Sequence, residues 1–342
     1  MVSKRDRTIS SILEMSYRID LPMTEWLRRL GESVLNLIGG GDGLVAFGFD
    51  AARDDAPVGL DPLCLLGDAP PKLLDGSRAF HQKMSGSTYR LLFPDRRRQS
   101  ISCPVTHHLK TLGLQPGAFP PLVDLLSRLG VSELWSLWAV VDGIEGLGFV
   151  QPMPSSRRDS PWPREWWEEL GAHFAAGYRA RRALEGASPL DAADGVFRPD
   201  GTPVRVKEPH REHLDTWRRI LRAVDRARAA EFRNADGAIL DIWRGIIDGR
   251  WSLFDEVDTD GKRYMILVET GAPPAGRRGR LSPRELQVCL RAARGLTNKE
   301  IAFDLGLSLS SVATHLRRGL SKLGITGRSE LQKLGPVLQR GE

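Results

Sequence analysis

The amino-acid sequence predicts a multidomain chain in which two α+β regions are followed by a small all-α domain. Residues 21–270 mix helical apolar spacing with short strand-like runs, whereas residues 281–323 carry helical patterns only. Between them, residues 271–280 are rich in Gly, Pro and Arg, which is typical of an interdomain linker. A chain of 342 residues also has room for two or three domains of ordinary size.

The first region covers residues 21–186 and follows an N-terminal extension of residues 1–20. The patterns predict, in chain order, a helix over 23–38, a glycine turn at 39–43, a strand over 44–49, a hairpin of 134–141 and 147–150 around Asp142-Gly143, and a helix over 163–184. This order of elements resembles a GAF-type sensory domain.

The second region covers residues 187–270 and begins near Gly186-Ala-Ser-Pro189. The patterns predict a hairpin of 195–197 and 203–206, a helix from Leu214 to about Ala227, and a second hairpin of 251–257 and 264–268. This arrangement resembles a small PAS-like sensor.

Three short helices are predicted between Leu281 and Leu323, each with its own start signal. Two capping-box patterns, two glycine stops and a third N-cap mark their ends: Ser282, Glu285, Gly295, Thr297, Glu300, Gly306 and Ser308. The second and third helices are separated only by Gly306-Leu307-Ser308, which is the short turn of a helix-turn-helix unit.

The third of these helices has an apolar face and an opposite face that suits DNA. The apolar stripe is Val312, Leu316, Leu320 and Leu323. The opposite face carries only small or basic side chains: Ser310, Ala313, Thr314, Arg317, Arg318 and Ser321. No Asp or Glu lies between Asp304 and Glu330, so nothing acidic would repel phosphates.

The charge of the whole chain agrees with this interpretation. Residues 277–342 carry thirteen Lys and Arg against five Asp and Glu, a net charge of +8, whereas the whole chain is +6 and the preceding residues therefore sum to −2. A basic module on a near-neutral body is typical of a protein that binds a polyanion. A solubilising tail is the alternative that composition leaves open.

The C-terminal motifs resemble the LuxR-type DNA-binding domain over about residues 280–335. The matching residues are Leu281-Ser-Pro-Arg-Glu285, Gly295-Leu-Thr-Asn-Lys-Glu-Ile-Ala302, Leu305, Leu307-Ser308, Ser311-Val312, His315, Lys322-Leu-Gly-Ile325 and Arg328. The resemblance implies a four-helix domain over residues 281–342 whose third helix enters the major groove and whose last helix helps to form a dimer.

The resemblance also implies roles for individual residues. Ala313, Thr314 and Arg317 would face bases, and Asn298 and Lys299 would approach phosphates. The full expected DNA-contacting set is Asn298, Lys299, Ser310, Ser311, Ala313, Thr314, His315, Arg317, Arg318 and Lys322. The expected core is Ile301, Ala302, Leu305, Gly306, Val312 and Leu316.

Three positions depart from the family's pattern. Ala313 stands where the family usually has Lys, so the base-reading surface lacks one cation and Arg317 and Arg318 must provide more of the contact. Gly319 replaces a buried aliphatic residue, at a cost of about 1 kcal/mol in helix stability. Pro336 shortens the final helix.

Other residue patterns have competing interpretations. Gly39–Gly43 could suggest a phosphate loop, but a plain turn is favoured because the glycines lead into a strand and no Gly-Lys-Ser/Thr follows. Asp50, near Asp54 and Asp55, could be a phosphoacceptor, but an acidic surface turn is favoured because the alternating βα pattern is absent.

Two pairs of histidines and a set of tryptophans could form metal or ligand sites, and each also has an ordinary structural interpretation. His210 and His213 are interpreted as a solvated pair rather than metal ligands, and His107-His108 near Cys103 as an ordinary loop rather than a haem or metal site. Tryptophans could line an apolar ligand pocket or simply pack: Trp135, Trp138, Trp162, Trp166 and Trp167. Trp135, Trp138 and Trp166 are the pocket candidates.

Together these observations predict a cytoplasmic, non-enzymatic transcription regulator that binds double-stranded DNA as a homodimer. Its N-terminal regions would respond to a small-molecule effector or a partner. No cofactor, metal or membrane contact is expected, because the three cysteines are scattered and no apolar run approaches the roughly 20 residues of a membrane helix. A signalling adaptor that does not bind DNA, or an enzyme with an appended regulatory module, remains the alternative.

Overall fold

The computed structural model describes residues 9–39, 43–93, 99–153, 163–185, 187–228, 240, 243, 246, 251–257, 260–270, 283–323, 327–328 and 331. The predicted linker at 271–280 lies outside the described residues, as do Ser282, Trp162 and Pro336. Within the described part of the chain, no helix combines the length and the apolar character needed to cross a bilayer.

The helices and strands follow one another along the chain. The α-helices are α1 (Ile9–Ser16), α2 (Met23–Ile38), α3 (Pro71–Gln82), α4 (Gly86–Arg90), α5 (Val105–Thr111), α6 (Pro120–Leu129), α7 (Arg164–Ala183), α8 (Pro189–Ala192), α9 (Leu214–Arg228), α10 (Pro283–Ala293), α11 (Asn298–Leu305) and α12 (Leu309–Leu323). The strands are β1 (Leu44–Asp50), β2 (Gly59–Leu66), β3 (Ser100–Pro104), β4 (Glu133–Val141), β5 (Glu145–Met153), β6 (Gly195–Phe197), β7 (Pro203–Val206), β8 (Trp251–Val257) and β9 (Arg263–Glu269). Two 3₁₀ turns span Pro116–Ala118 and Glu208–His213.

These elements form two compact units. The first unit comprises Met1–Gly39 and Ser160–Pro273, and the second comprises Gly40–Asp159 and Pro274–Glu342. Each unit contains one antiparallel sheet, and the three C-terminal helices belong to the second unit.

The first unit combines a four-stranded sheet, of order β7-β6-β9-β8, with the helices α1, α2 and α7. Helix α1 lies close against α7 at Gly177, where a Cβ atom would come within 1.9 Å of the carbonyl oxygen of Ser16. Any side chain at Gly177 would therefore push the two helices apart. Trp26 of α2 and Trp167 of α7 are fully buried.

The second unit contains a five-stranded antiparallel sheet of order β2-β1-β5-β4-β3. Side chains alternate along β4, so Leu134, Ser136 and Trp138 share one face of the sheet. The helices α3, α5 and α6 cover that face. At the tight turn between β4 and β5, Asp142 and Gly143 have positive φ angles of 53° and 71°, a left-handed backbone that suits a tight hairpin turn.

The structure confirms a mixed helix-and-sheet region followed by a helical C-terminal domain. The predicted helix over 23–38 has the bounds of α2, and the three predicted hairpin pairings are all present. The resemblances to GAF and PAS domains, and the residue ranges of the domains, stay predictions.

The sequence patterns did not indicate most elements between β1 and β4. Strand β2 contains Pro62, which breaks the apolar alternation and is tolerated because β2 lies at the edge of the sheet. The expectation of a loop at His107-His108 was wrong, because both residues lie in α5. That helix is short and buries mainly Leu109, so its sequence carries no helical period.

Candidate nucleic-acid interface

The helix-turn-helix begins at a capping box on α11. The Thr297 hydroxyl accepts a hydrogen bond from the Glu300 backbone N–H at 3.3 Å, and the Glu300 carboxylate accepts one from the Thr297 N–H at 2.6 Å. These hydrogen bonds hold the pKa of Glu300 below its usual range. The predicted Thr297–Glu300 cap is confirmed, whereas Ser282 of the first predicted box lies outside the described residues.

The turn between α11 and α12 follows the sequence prediction closely. Gly306 ends α11 in the left-handed conformation with φ of 63°. The Ser308 hydroxyl then accepts a hydrogen bond from the Ser311 N–H at 3.1 Å and caps α12. The two helices are therefore joined by a short turn, which the glycine stop of α11 and the serine cap of α12 define.

Three helices form the core of the C-terminal domain. Val288 of α10, Ile301 of α11 and Val312 of α12 are fully buried. Of the other expected core residues, Ala302 and Leu316 are buried, Leu305 is half-buried, and Gly306 is exposed at the turn. Gly319 is also buried and Leu320 is half-buried, so the described part of this face of α12, from Val312 to Leu320, points inward.

The opposite face of α12 is open to solvent. Its exposed residues are Ser310, Ala313, Arg317 and Arg318, and its half-buried residues are Ser311, Thr314 and His315. Arg317 lies one helical turn beyond Ala313 and Thr314, on the same strip. The side chain of Lys322 lies outside the described residues.

A second group of expected contacts lies at the start of α11. Lys299 is exposed, and Asn298 is half-buried. The amide oxygen of Asn298 accepts a hydrogen bond from Arg328 at 2.6 Å, and Arg328 also donates to the backbone carbonyl of Leu296. The start of α11 is thus fixed by a residue that follows α12.

The charges near this surface are arranged to leave it positive. Asp304, the last acidic residue before α12, forms an ion pair with Arg291 of α10. The carboxylate of Glu300 is held in the cap described above. Among the described side chains on the exposed face of α12, Arg317 and Arg318 are the ones that carry a positive charge.

Residues 280–334 match the model of the bacterial regulatory proteins of the luxR family. The C-terminal segment is a luxR-family helix-turn-helix domain. The match covers the capping box, the turn and both helices on either side of it, and it begins only after the two sheet-containing regions.

Two curated relatives match a part of the chain. The transcriptional regulatory protein UhpA of Salmonella typhimurium is 46% identical over 57 residues, which cover 17% of this chain and 29% of the relative. UhpA of Escherichia coli K12 is 41% identical over 59 residues, 17% of this chain and 30% of the relative. The chain thus spans less than a third of the length of these relatives, and no solved structure matches it.

One exposed apolar side chain of the luxR-family domain was not foreseen. Phe303 on α11 is 92% exposed, and it lies two residues from the buried Ile301. Two residues along an α-helix correspond to about 200° of rotation, so Phe303 points away from the face that buries Ile301. Leu309, at the first turn of α12, is also largely exposed.

Two of the three tryptophans proposed as pocket candidates, Trp135 and Trp138, lie on opposite faces of β4. Trp138 lines a cavity in the second unit, whereas Trp135, three residues earlier on β4, lies on the other face of the sheet. Trp166 is half-buried on α7 of the first unit. His81 and His108 line the cavity with Trp138. The sequence drew attention to His108 only beside His107 and Cys103, and gave no signal for His81.

The histidine pairs do not form metal sites among the described residues, where no group of three or more His, Cys, Asp and Glu could hold an ion. His213 is exposed as expected, but the solvated position expected for His210 was wrong. The ring of His210 packs against Trp251, with centroids 5.1 Å apart, and its Nε2 lies 3.7 Å from Asp194. The ring contact with Trp251 accounts for the half-buried position of His210.

Proposed function

We propose that this chain is a sequence-specific DNA-binding transcription regulator. The observation that supports this most is the exposed face of α12, where a luxR-family domain presents Arg317 and Arg318 beside small side chains and without an acidic neighbour. Both curated relatives are named as transcriptional regulatory proteins. The regulator acts on the chromosome, in the cytoplasm, without enzymatic activity of its own.

The proposed contacts divide into base readers and phosphate binders. Arg317 donates to a base edge in the major groove, and the small Ala313 and Thr314 allow the helix to approach closely and can contact a thymine methyl group. Arg318 lies about 100° further round the helix and contacts a phosphate. His315 and Lys322 complete the contacts of α12.

The N-termini of both helices also suit phosphates. Ser310 and Ser311 lie in the first turn of α12, where the positive end of the helix dipole favours an anion. Asn298 and Lys299 occupy the same position on α11. These contacts fix the orientation of the domain on the duplex, and Arg317 provides the sequence preference.

Two further parts of the proposal concern assembly and control. The chain binds as a homodimer on two half-sites, since a two-fold operator requires two copies of α12. The two sheet-containing units respond to a small-molecule effector or a partner and change the pairing of the DNA-binding domains. Native mass spectrometry of the full-length chain reports oligomeric state and bound molecules together.

The DNA-binding step can be tested on the full-length chain. Fluorescence anisotropy with a labelled duplex should show binding whose log K falls against log salt with a slope of about −4 to −5 per protomer, if four to six cations engage phosphates. The double variant Arg317→Ala/Arg318→Ala should weaken binding strongly. Arg219→Ala, an exposed arginine of α9, is the matched control.

The outcome distinguishes specific contacts from a general charge effect. If Arg219→Ala weakens binding as much as a single substitution on α12, net charge alone explains the affinity and the proposed interface is wrong. Absence of binding at low salt would favour the adaptor that does not bind DNA.

A further inference from the structure

A cavity of about 50 Å³ lies in the second unit, between the five-stranded sheet and the helices α3, α5 and α6. Phe80, Leu109, Leu125, Trp138 and Val150 form its apolar walls. A single water molecule needs about 10–15 Å³ by this kind of measure, so the cavity has room for a few heavy atoms.

Three polar side chains at the cavity wall, those of His81, His108 and Ser136, have partners within the protein, and the Nε2 of His108 lies 2.8 Å from the Leu92 carbonyl oxygen. Both ring nitrogens of His81 are within hydrogen-bond distance of partners, the Ser77 carbonyl oxygen at 2.7 Å and the Tyr89 hydroxyl at 3.1 Å. The Ser136 hydroxyl donates to the Cys103 carbonyl at 2.9 Å. Burial lowers the pKa of His81 to about 4, so its ring is neutral at pH 7.

These properties restrict what the cavity can hold. A charged occupant would be desolvated without a counter-charge, which is costly. Water would gain few hydrogen bonds, and apolar cavities of this type stay dry and accept apolar guests. The cavity therefore suits a small uncharged apolar molecule.

One wall of the cavity is easier to move than the others. The strands β4 and β5 are each hydrogen-bonded to a neighbouring strand on both sides. Helix α5 is only seven residues long and contributes Val105, His108 and Leu109 to the wall, while its other face is exposed at His107 and Lys110. An occupant larger than the cavity would displace α5 rather than the sheet.

The end of α5 leads directly to the luxR-family domain, which belongs to the same unit. The carbonyl oxygen of Gly113, two residues after α5, accepts a hydrogen bond from Arg294 at 3.3 Å. A Cβ atom at Gly113 would lie 3.7 Å from Cδ1 of Leu290 on α10. His108 at the cavity lies only five positions before Gly113 in the sequence.

We propose that the cavity binds a small uncharged apolar effector, and that its occupation shifts α5 and, through Gly113, the contact with Leu290 and Arg294. The consequence for transcription rests on the proposed function, whereas the binding site and the shift of α10 do not. The proposed sensory response would thus have an uncharged apolar molecule as its ligand. The shift of α5 would carry the response to the DNA-binding domain.

Xenon and benzene are suitable probes for the full-length chain in the absence of DNA. Xenon fits the cavity as it stands, and benzene is larger and requires α5 to move. We expect a saturable ¹²⁹Xe signal, and a ¹³C-methyl shift at Leu290 that is larger with benzene. Val150→Ile adds one methyl group to the cavity and should weaken xenon binding about ten-fold. Val123→Ile makes the same change on α6 at a residue that is 47% exposed, and should leave binding unchanged.

Each result supports or overturns one part of the proposal. Absence of xenon binding, or equal binding by Val150→Ile, would overturn the site, with Val105→Ile as a second filling variant if the first fails to fold. Xenon binding without benzene binding would overturn the role of α5 as a movable wall. Benzene binding without a shift at Leu290 would overturn the route to α10. None of these readouts depends on DNA, so a failure of the proposed function is detected separately.

Discussion

Arg328 donates a hydrogen bond to the amide oxygen of Asn298 at 2.6 Å and a second one to the carbonyl of Leu296. One guanidinium thereby joins the segment after α12 to the turn that starts α11. Because the oxygen of Asn298 is engaged in this contact, its NH₂ group is the part of the amide that can face a phosphate. The orientation of a proposed DNA contact thus depends on a residue thirty positions away in sequence.

Arg328→Ala should loosen the start of α11. Loss of two hydrogen bonds from a half-buried guanidinium should cost about 1 kcal/mol of local stability, which corresponds to roughly five-fold faster amide exchange. Hydrogen exchange of α11 peptides in the full-length chain measures this. Arg318→Ala removes an exposed arginine of the same domain and should leave exchange in α11 unchanged; an equal effect would mean that the hydrogen bonds of Arg328 do not stabilise α11.

Thr297→Ala should also destabilise α11, because it removes the hydroxyl that caps the Glu300 N–H. Loss of a Thr cap typically costs about 1 kcal/mol. Thr297→Ser keeps a capping hydroxyl and serves as the control in the same exchange measurement. If both variants exchange alike, the capping box contributes nothing measurable to this helix.

Val312→Asp should unfold the luxR-family domain, because it places an unpaired charge at a fully buried position at a cost of several kcal/mol. Far-UV circular dichroism should show lost helix and DNA binding should disappear. Ala313→Asp places the same charge on the neighbouring exposed residue and should keep the helix while weakening DNA binding. Native helicity in Val312→Asp would mean that the inward face of α12 is wrongly assigned.

Arg317→Ala and Arg318→Ala should separate base reading from phosphate binding. Loss of a bidentate base contact should cost about 1–3 kcal/mol and relax the sequence preference. Loss of a phosphate contact should weaken all sequences alike and reduce the salt slope by about one. Site selection from a random duplex pool with both variants decides this, and an unchanged preference in Arg317→Ala would refute the assigned contact.

Stability should fall as pH decreases from 6.5 to 4.5, because two buried histidines resist protonation in the folded chain. Burial lowers the pKa of His81 to about 4 and of His173, which lies 2.8 Å from the Tyr17 hydroxyl, to about 3. Their stabilising contribution is complete above the unfolded pKa of 6.5. Below that pH the unfolded chain takes up protons that the folded chain does not. The free energy of unfolding therefore falls by about 1.4 kcal/mol for each histidine and for each unit of pH.

Urea denaturation at pH 7, 6 and 5 measures this slope. His81→Gln should reduce it, and His107→Gln, an exposed histidine of α5, is the control. Above pH 4.5 the carboxylates contribute little, so a flat profile in this range would contradict the assignment of neutral buried histidines.

The sequence could predict the elements whose signals are local. The helix over 23–38, the hairpin at Asp142-Gly143 and the Thr297 cap each depend on residues within one or two turns of the chain, and each is present. It could not predict α5 or β2, since α5 buries little more than Leu109 and β2 is interrupted by Pro62. The separate positions of Trp135 and Trp138 follow from the alternation of β4 once the strand is known.

The sequence by itself determined the luxR-family domain, because its caps, glycine stops and apolar stripe lie within about forty consecutive residues and act through short-range hydrogen bonds and helical periodicity. Only the tertiary structure decided the cavity and its route to α10. His81, His108 and Trp138 come from α3, α5 and β4, and the strand order β2-β1-β5-β4-β3 brings them together. Contacts between residues so far apart in the sequence depend on tertiary packing, and they produce no periodic pattern in the sequence.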